Sequence, residues 1–172
     1  GTNDGQFQNP HGVAYSPISD EIFVADWIRH NIQVFSYNGT FKRGFGGLGS
    51  GNGQLNGPHG LDLDDNGDLF VADTGNHRIQ VFSPSGQHIR FIGQSSLGQP
   101  GQIPRGVRCV GDRLVVSSAQ MIRIYNKASG AVMKELGSIN AGTALGQFNT
   151  PYDLILDNAG HILVVDHGNH HE

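Results

Sequence analysis

Residues 58–92 read PHGLDLDDNGDLFVADTGNHRIQVFSPSGQHIRFI, and the fold turns on this stretch. Four short apolar runs stand in it: Gly60–Leu63, Asp68–Asp73, Arg78–Phe82 and Gln87–Ile92. The segments between them, DDNG, TGNH and SPSG, hold residues that accept positive φ or close a turn with a side-chain oxygen. Runs of this length with turn signals at this spacing predict a four-stranded antiparallel meander.

The same pattern is written again on both sides. Pro10-His11-Gly12-Val13, Pro58-His59-Gly60-Leu61, Pro104-Arg105-Gly106-Val107 and Pro151-Tyr152-Asp153-Leu154 follow one another at intervals of 48, 46 and 47 residues. A second landmark keeps step: Phe23-Val24-Ala25-Asp26, Phe70-Val71-Ala72-Asp73, Val115-Val116-Ser117-Ser118 and Val164-Val165-Asp166. A third is Ile32-Gln33-Val34-Phe35, Ile79-Gln80-Val81-Phe82 and Ile122-Arg123-Ile124-Tyr125. A four-strand unit repeating every 40 to 50 residues or so marks a propeller blade. The chain therefore reads as one all-β segment, 1–172, with blades at about 10–45, 58–92, 104–136 and 151–172. The last blade has only two strands, Asp153–Asp157 and His161–Val165.

The second strands test the architecture. Ile22-Phe23-Val24-Ala25, Leu69-Phe70-Val71-Ala72 and Ile162-Leu163-Val164-Val165 are apolar at every position. Successive strand side chains point to opposite faces, so such runs need cover on both. Blades fanned radially supply it, whereas a two-layer sandwich would leave one face wet. Each blade is entered through Gln and an apolar residue (Gln6-Phe7, Gln54-Leu55, Gln102-Ile103, Gln147-Phe148), read as a plug between neighbours. Asn38-Gly39 suits a type I′ hairpin turn, and the same turn chemistry explains the glycosylation sequon Asn38-Gly39-Thr40. Blade three departs from the pattern: the turn after Ser118 is two residues shorter than the one after Asp73, and it lacks the acidic residue.

Composition narrows the function classes. Glycine, 26 of 172 residues, is about twice its usual ~7% share and sits between the strands. A net charge of −4 argues against broad attraction to phosphate. No apolar run approaches the ~20 residues that span a bilayer, so no membrane role is expected. No secretory signal is visible, and a chain starting at glycine reads as a processed or cropped piece. The single cysteine, Cys109, cannot form an internal disulfide and reads as a small buried apolar residue. The compartment is left open, with the cytoplasm favoured.

The segment Asp73-Thr74-Gly75-Asn76-His77-Arg78-Ile79-Gln80-Val81-Phe82 resembles the signature of the NHL-repeat β-propeller family, and Asp26-Trp27-Ile28-Arg29-His30-Asn31-Ile32-Gln33-Val34-Phe35 is a variant of it. The resemblance covers essentially the whole chain. It implies four-stranded antiparallel blades and a ring that typically closes with six, of which this chain supplies about three and a half. An open ring would expose apolar blade flanks, so a longer parent protein or self-association is expected.

In such a propeller the loops before the first strand and after the second emerge on one face. That face collects His11, His59, Arg105 and Tyr152 at the mouth of the channel. Trp27, Arg29, His30, His77, Arg78, His167, His170 and His171 surround them. Aromatic, Arg and His groups on a concave rim suit a binding site. Asp26, Asp73 and Asp166 read as turn caps taking backbone N–H groups two or three residues on, with the Ser118 hydroxyl in the same role. The favoured function is a noncatalytic scaffold binding a protein or peptide, with no cofactor, because the repeat is complete and no catalytic set is. Two alternatives follow from resemblance. Zinc-dependent amidating lyases that cleave peptidyl-hydroxyglycine are similar, and their metal histidines follow proline as His11 and His59 do; Arg105 and Tyr152 would then act as oxyanion partner and general base. NHL domains of ubiquitin-ligase-type proteins that grip single-stranded RNA are also similar, which implies stacking on Trp27 or Tyr152 beside Arg29 and Arg105.

Overall fold

The computed structural model describes residues 1, 3–93, 103–138, 140, 142–157 and 159–169. Blade one is the sheet β1 (Pro10–Ser16), β2 (Glu21–Asp26), β3 (Asn31–Ser36), β4 (Phe41–Gly46). Blade two is β5 (Pro58–Leu63), β6 (Leu69–Asp73), β7 (Arg78–Phe82), β8 (His88–Ile92). Blade three is β9 (Val107–Val110), β10 (Arg113–Ser118), β11 (Met121–Asn126), β12 (Val132–Gly137), and blade four is β13 (Pro151–Leu156) with β14 (Ile162–Asp166). Each sheet follows chain order and every pairing is antiparallel. The arrangement is a partial β-propeller.

Three hydrophobic clusters lie between successive blades. The second strand of blade two shows why it is apolar throughout: Leu69 and Val71 face blade one's Phe23, Ala25, Ile32 and Val34. Phe70 and Ala72 face blade three's Val107, Leu114 and Val116. Leu55, fully buried in the first cluster, is the expected plug between blades. On the outward flanks the matching positions are open: Val13 is 64% exposed on blade one, and Val165 is 62% exposed on blade four. No helix among the described residues is long and apolar enough to cross a membrane.

The inner strands β1, β5, β9 and β13 run side by side along the axis. Gly60 donates its N–H to the Arg105 carbonyl at 2.8 Å, and a Cβ on Gly60 would collide with that oxygen. A Cβ on Gly12 would likewise collide with the His59 carbonyl. Pro-His-Gly thus needs its glycine because the next blade's backbone passes directly over it.

Two turn expectations are corrected. Asn38-Gly39 does not form a type I′ turn: only Gly39 has positive φ (85°), with Gly39 N–H on Ser36 O and Ser36 N–H on Thr40 O, both 2.9 Å. This is a type I turn followed by a left-handed glycine, and it shifts the register between Val34 and Phe35. Gly86 (φ 87°) repeats it in blade two. Ser118 does not cap its turn by accepting N–H groups. Its hydroxyl donates across the two-residue turn to the Met121 carbonyl at 3.3 Å.

Candidate functional site

The acidic residue ending a second strand acts as a clamp. Buried Asp26 accepts the N–H groups of Gln8, Asn9 and Arg29 at 2.7, 3.1 and 3.2 Å. Asp73, also fully buried, accepts from Asn56 N, Asn76 Nδ2, Arg78 Nε and Gln80 Nε2 at 2.7, 2.9, 2.7 and 3.3 Å. Asp166 accepts from Asn149 N and Asn169 Nδ2 at 2.9 and 2.7 Å. A cap on backbone N–H groups two or three residues onward was expected; Asp26 makes it to Ile28 and Arg29, whereas Asp73 and Asp166 take the side-chain amides of Asn76 and Asn169 three residues on. In each of these three blades a partner lies 17 residues earlier, on the loop entering that blade. The carboxylate therefore staples the entering loop to the second strand. Gln33 and Gln80 complete the staple by holding the N–H groups of Gly5 and Gly53, a role that sequence reading missed although Ile-Gln-Val recurs in both blades.

This framework removes four residues from the expected binding face. Arg78 is 4% exposed; beyond its 2.7 Å ion pair with Asp73 it donates to the carbonyls of Ser50, Gly51 and Gln54. Arg29 donates to the carbonyls of Asn3 and Gln6 at 2.6 and 2.9 Å. His30 Nδ1 accepts the Gly57 N–H at 2.9 Å. His77 closes the 3-10 turn Thr74–Asn76 with a left-handed backbone (φ 53°) and an exposed side chain outside the cluster described next. Their donors and backbones serve the loop. His170 and His171 lie outside the described residues.

The remaining six come together. Two positions per repeat build the group: the residue after the blade-opening proline (His11, His59, Arg105, Tyr152) and the residue after the clamp (Trp27, His167). Ring centroids lie 4.4 Å apart for His11–His59, 4.6 Å for His59–Tyr152 and 5.7 Å for His11–Trp27. Trp27 also meets His59 edge-on at 6.0 Å, and exposed His167 lies 5.9 Å from Tyr152. The Arg105 guanidinium lies over the Tyr152 ring at 5.1 Å. Trp27 rests against Gly57, whose lack of a side chain leaves room for the indole.

The rings separate two hollows that share His11, His59 and Tyr152. On the loop side, a pocket of about 370 Å³ is also lined by Asn9, Trp27, Thr74, Ile103 and Arg105. On the channel side, a smaller one of about 170 Å³ reaches Gly12, Gly60, Arg108 and Asp153. Sequence reading did not find Asn9, Thr74 or Ile103, because a pocket wall carries no motif of its own.

His59 is 7% exposed, and its Nε2 has no hydrogen-bond partner among the described residues. Burial, then the neighbouring His11 and Arg105, pulls its pKa down to about 4, so the ring is neutral at pH 7. Burial also lowers His11, against the opposing pull of Asp26. The pair was expected to serve as metal ligands on the lyase reading. Among the described residues no group of three or more His, Cys, Asp or Glu is placed to hold an ion. The places beside the two imidazoles are held by a phenol and a guanidinium, and the guanidinium repels a cation. Of the four residues that follow the blade-opening prolines, only the two imidazoles are zinc-type donors.

Residues 7–35 and 55–82 match the NHL repeat model. Protein brain tumor of Drosophila melanogaster is 46% identical over 55 residues, 32% of this chain and 5% of that protein. A streptogramin B lyase structure superposes with TM-score 0.69 at 16% identity, covering 92% of this chain and 48% of that one. A chain of a nidogen/laminin complex gives TM-score 0.61 at 24% identity, covering 77% of this chain and 49% of that one. At these identities the solved structures speak for the fold alone. The chain spans about half their length and a small part of the Drosophila protein.

Proposed function

We propose that this chain, a segment of NHL-repeat β-propeller, is a binding module that takes a protein or peptide ligand against the rim formed by His11, Trp27, His59, Arg105 and Tyr152. One observation carries this reading. All four blades send a side chain to one place, and those side chains are aromatic or cationic rather than a nucleophile paired with a base. Rigid rings and an arginine on a concave surface give contact area at low entropic cost. The strands beneath hold them still, while the rim positions vary among the repeats: His11, His59, Arg105 and Tyr152 follow the proline, and Trp27, Thr74, Ala119 and His167 follow the second strand. No lyase step is assigned.

The test is selection of displayed random dodecamer peptides against the protein, followed by affinity measurements on Trp27→Ala and Tyr152→Ala variants. Both residues are half-buried, and far-UV dichroism verifies their folding. Trp27 is the only tryptophan, so its fluorescence reports a ligand at the rim directly. Selected peptides should quench it and lose roughly tenfold or more in affinity for either variant. Equal binding to wild type and variants, or no enrichment at all, overturns the reading.

A further inference from the structure

Resting on that reading, we propose that the rim recognises a carboxylate-bearing peptide: an acid group pairs with Arg105 while the adjoining peptide backbone hydrogen-bonds His59 Nε2. Arg105 stands apart from the other arginines. Arg29, Arg43, Arg78, Arg90, Arg108, Arg113 and Arg123 each have an oxygen partner. Arg105 has none among the described residues; its guanidinium lies over the Tyr152 ring, 5.1 Å from the centroid, and the residue lines the loop-side pocket. A cation–π contact uses none of the guanidinium N–H groups, and their fork matches a carboxylate through two parallel N–H···O bonds.

The rest of the pocket agrees. None of its lining residues is acidic. The clamps next to lining residues, Asp26 and Asp73, are buried and already paired, Asp26 with backbone N–H groups and Asp73 with Asn56 N–H and Arg78. An entering carboxylate therefore meets no like charge on the pocket wall. His59 lines the same pocket, and its buried Nε2 has no hydrogen-bond partner among the described residues. A buried polar atom left unsatisfied is costly, so a ligand that supplies its complement gains affinity. A peptide backbone carries both an N–H and a C=O and so satisfies either imidazole tautomer.

A polynucleotide fits less well. Tracking a strand takes a series of phosphate contacts. Among the described residues one guanidinium lacks an oxygen partner, Arg29 and Arg78 are tied to backbone carbonyls, His59 is neutral at pH 7, and the chain carries −4.

Sequence readout of the selected dodecamers tests the inference separately from the reading beneath it. The binders should share an Asp or Glu, or need a free C-terminus. Versions with Glu→Gln or with an amidated C-terminus identify which carboxylate is used. Removing that carboxylate should weaken binding to wild type by roughly tenfold or more and leave binding to Arg105→Gln unchanged. Arg105→Lys keeps the charge but not the fork, and should recover only part of the loss. Peptides that need Trp27 and Tyr152 but carry no essential acid would overturn the carboxylate and spare the peptide-binding reading. Equal sensitivity of wild type and Arg105→Gln to the acid would overturn it too. A twelve-nucleotide uridine-rich RNA that displaces the peptides with a steep salt dependence would overturn both in favour of nucleic acid.

Discussion

Blades two and three share one frame and differ in how their loops are held. In blade two, Asp73 gathers the entering loop, Asn76, Arg78 and Gln80 into a buried network. In blade three the matching residue is Ser118, the turn is two residues long, and the position of Gln80 is held by Arg123, which pairs with Glu135 at 2.6 Å on its own sheet. The strands pair equally well in both. The signature residues of blade two are therefore loop fasteners and not the source of the sheet. A blade without them still stands and still delivers Arg105 to the rim. Framework and rim are separable: the first repeats, and the second varies at the two positions flanking it.

Removing the clamp should have the largest effect. Asp73→Ala strands Arg78 in a site where it is 4% exposed, and breaking a buried pair costs about 3–5 kcal/mol. Ser118→Ala gives up one 3.3 Å hydrogen bond and should cost about 1 kcal/mol or less. Urea denaturation of the two variants measures the gap, and equal losses would break the contrast. Next comes pH, because blade two places a neutral imidazole where blade three places a cation. The unfolded chain protonates His59 near 6.5, while the folded ring resists until about 4. Stability should fall as pH drops through that window, by roughly 3 kcal/mol from this residue. His59→Gln should remove that share of the slope, and a profile as steep as wild type's would refute it. A third change is at the seam between the two blades. Gly60→Ala pushes a methyl group against the Arg105 carbonyl and should cost about 1–3 kcal/mol. It should also weaken rim binding by moving both His59 and Arg105, whereas Gly111→Ala, with open space around it, should leave binding intact.

Much of the fold was legible because it rests on period and pattern. Repeats at 48, 46 and 47 residues and a second strand apolar at every position leave few architectures open. The rim was legible in part. His11, His59, Arg105 and Tyr152 stand at one repeat position, so a radial fold had to bring them together. Arg29, His30, His77 and Arg78 belong to the same loops and looked equivalent. A sequence shows which loop a side chain is on but not where its hydrogen bonds go. The turn at Asn38-Gly39 went astray for a related reason: the bulge at Val34 and Phe35 lets the asparagine keep negative φ, and a bulge is a property of two strands together.

The residues alone determined that small meanders stand in radial order and which one or two positions of each face the axis, since strand alternation and repeat length are local properties of the chain. Tertiary structure alone decided which polar groups are used up. Arg78 and Arg105 are the same residue type on one face of the molecule. Only packing buries the first against Asp73 and leaves the second over a tyrosine ring with no oxygen partner among the described residues.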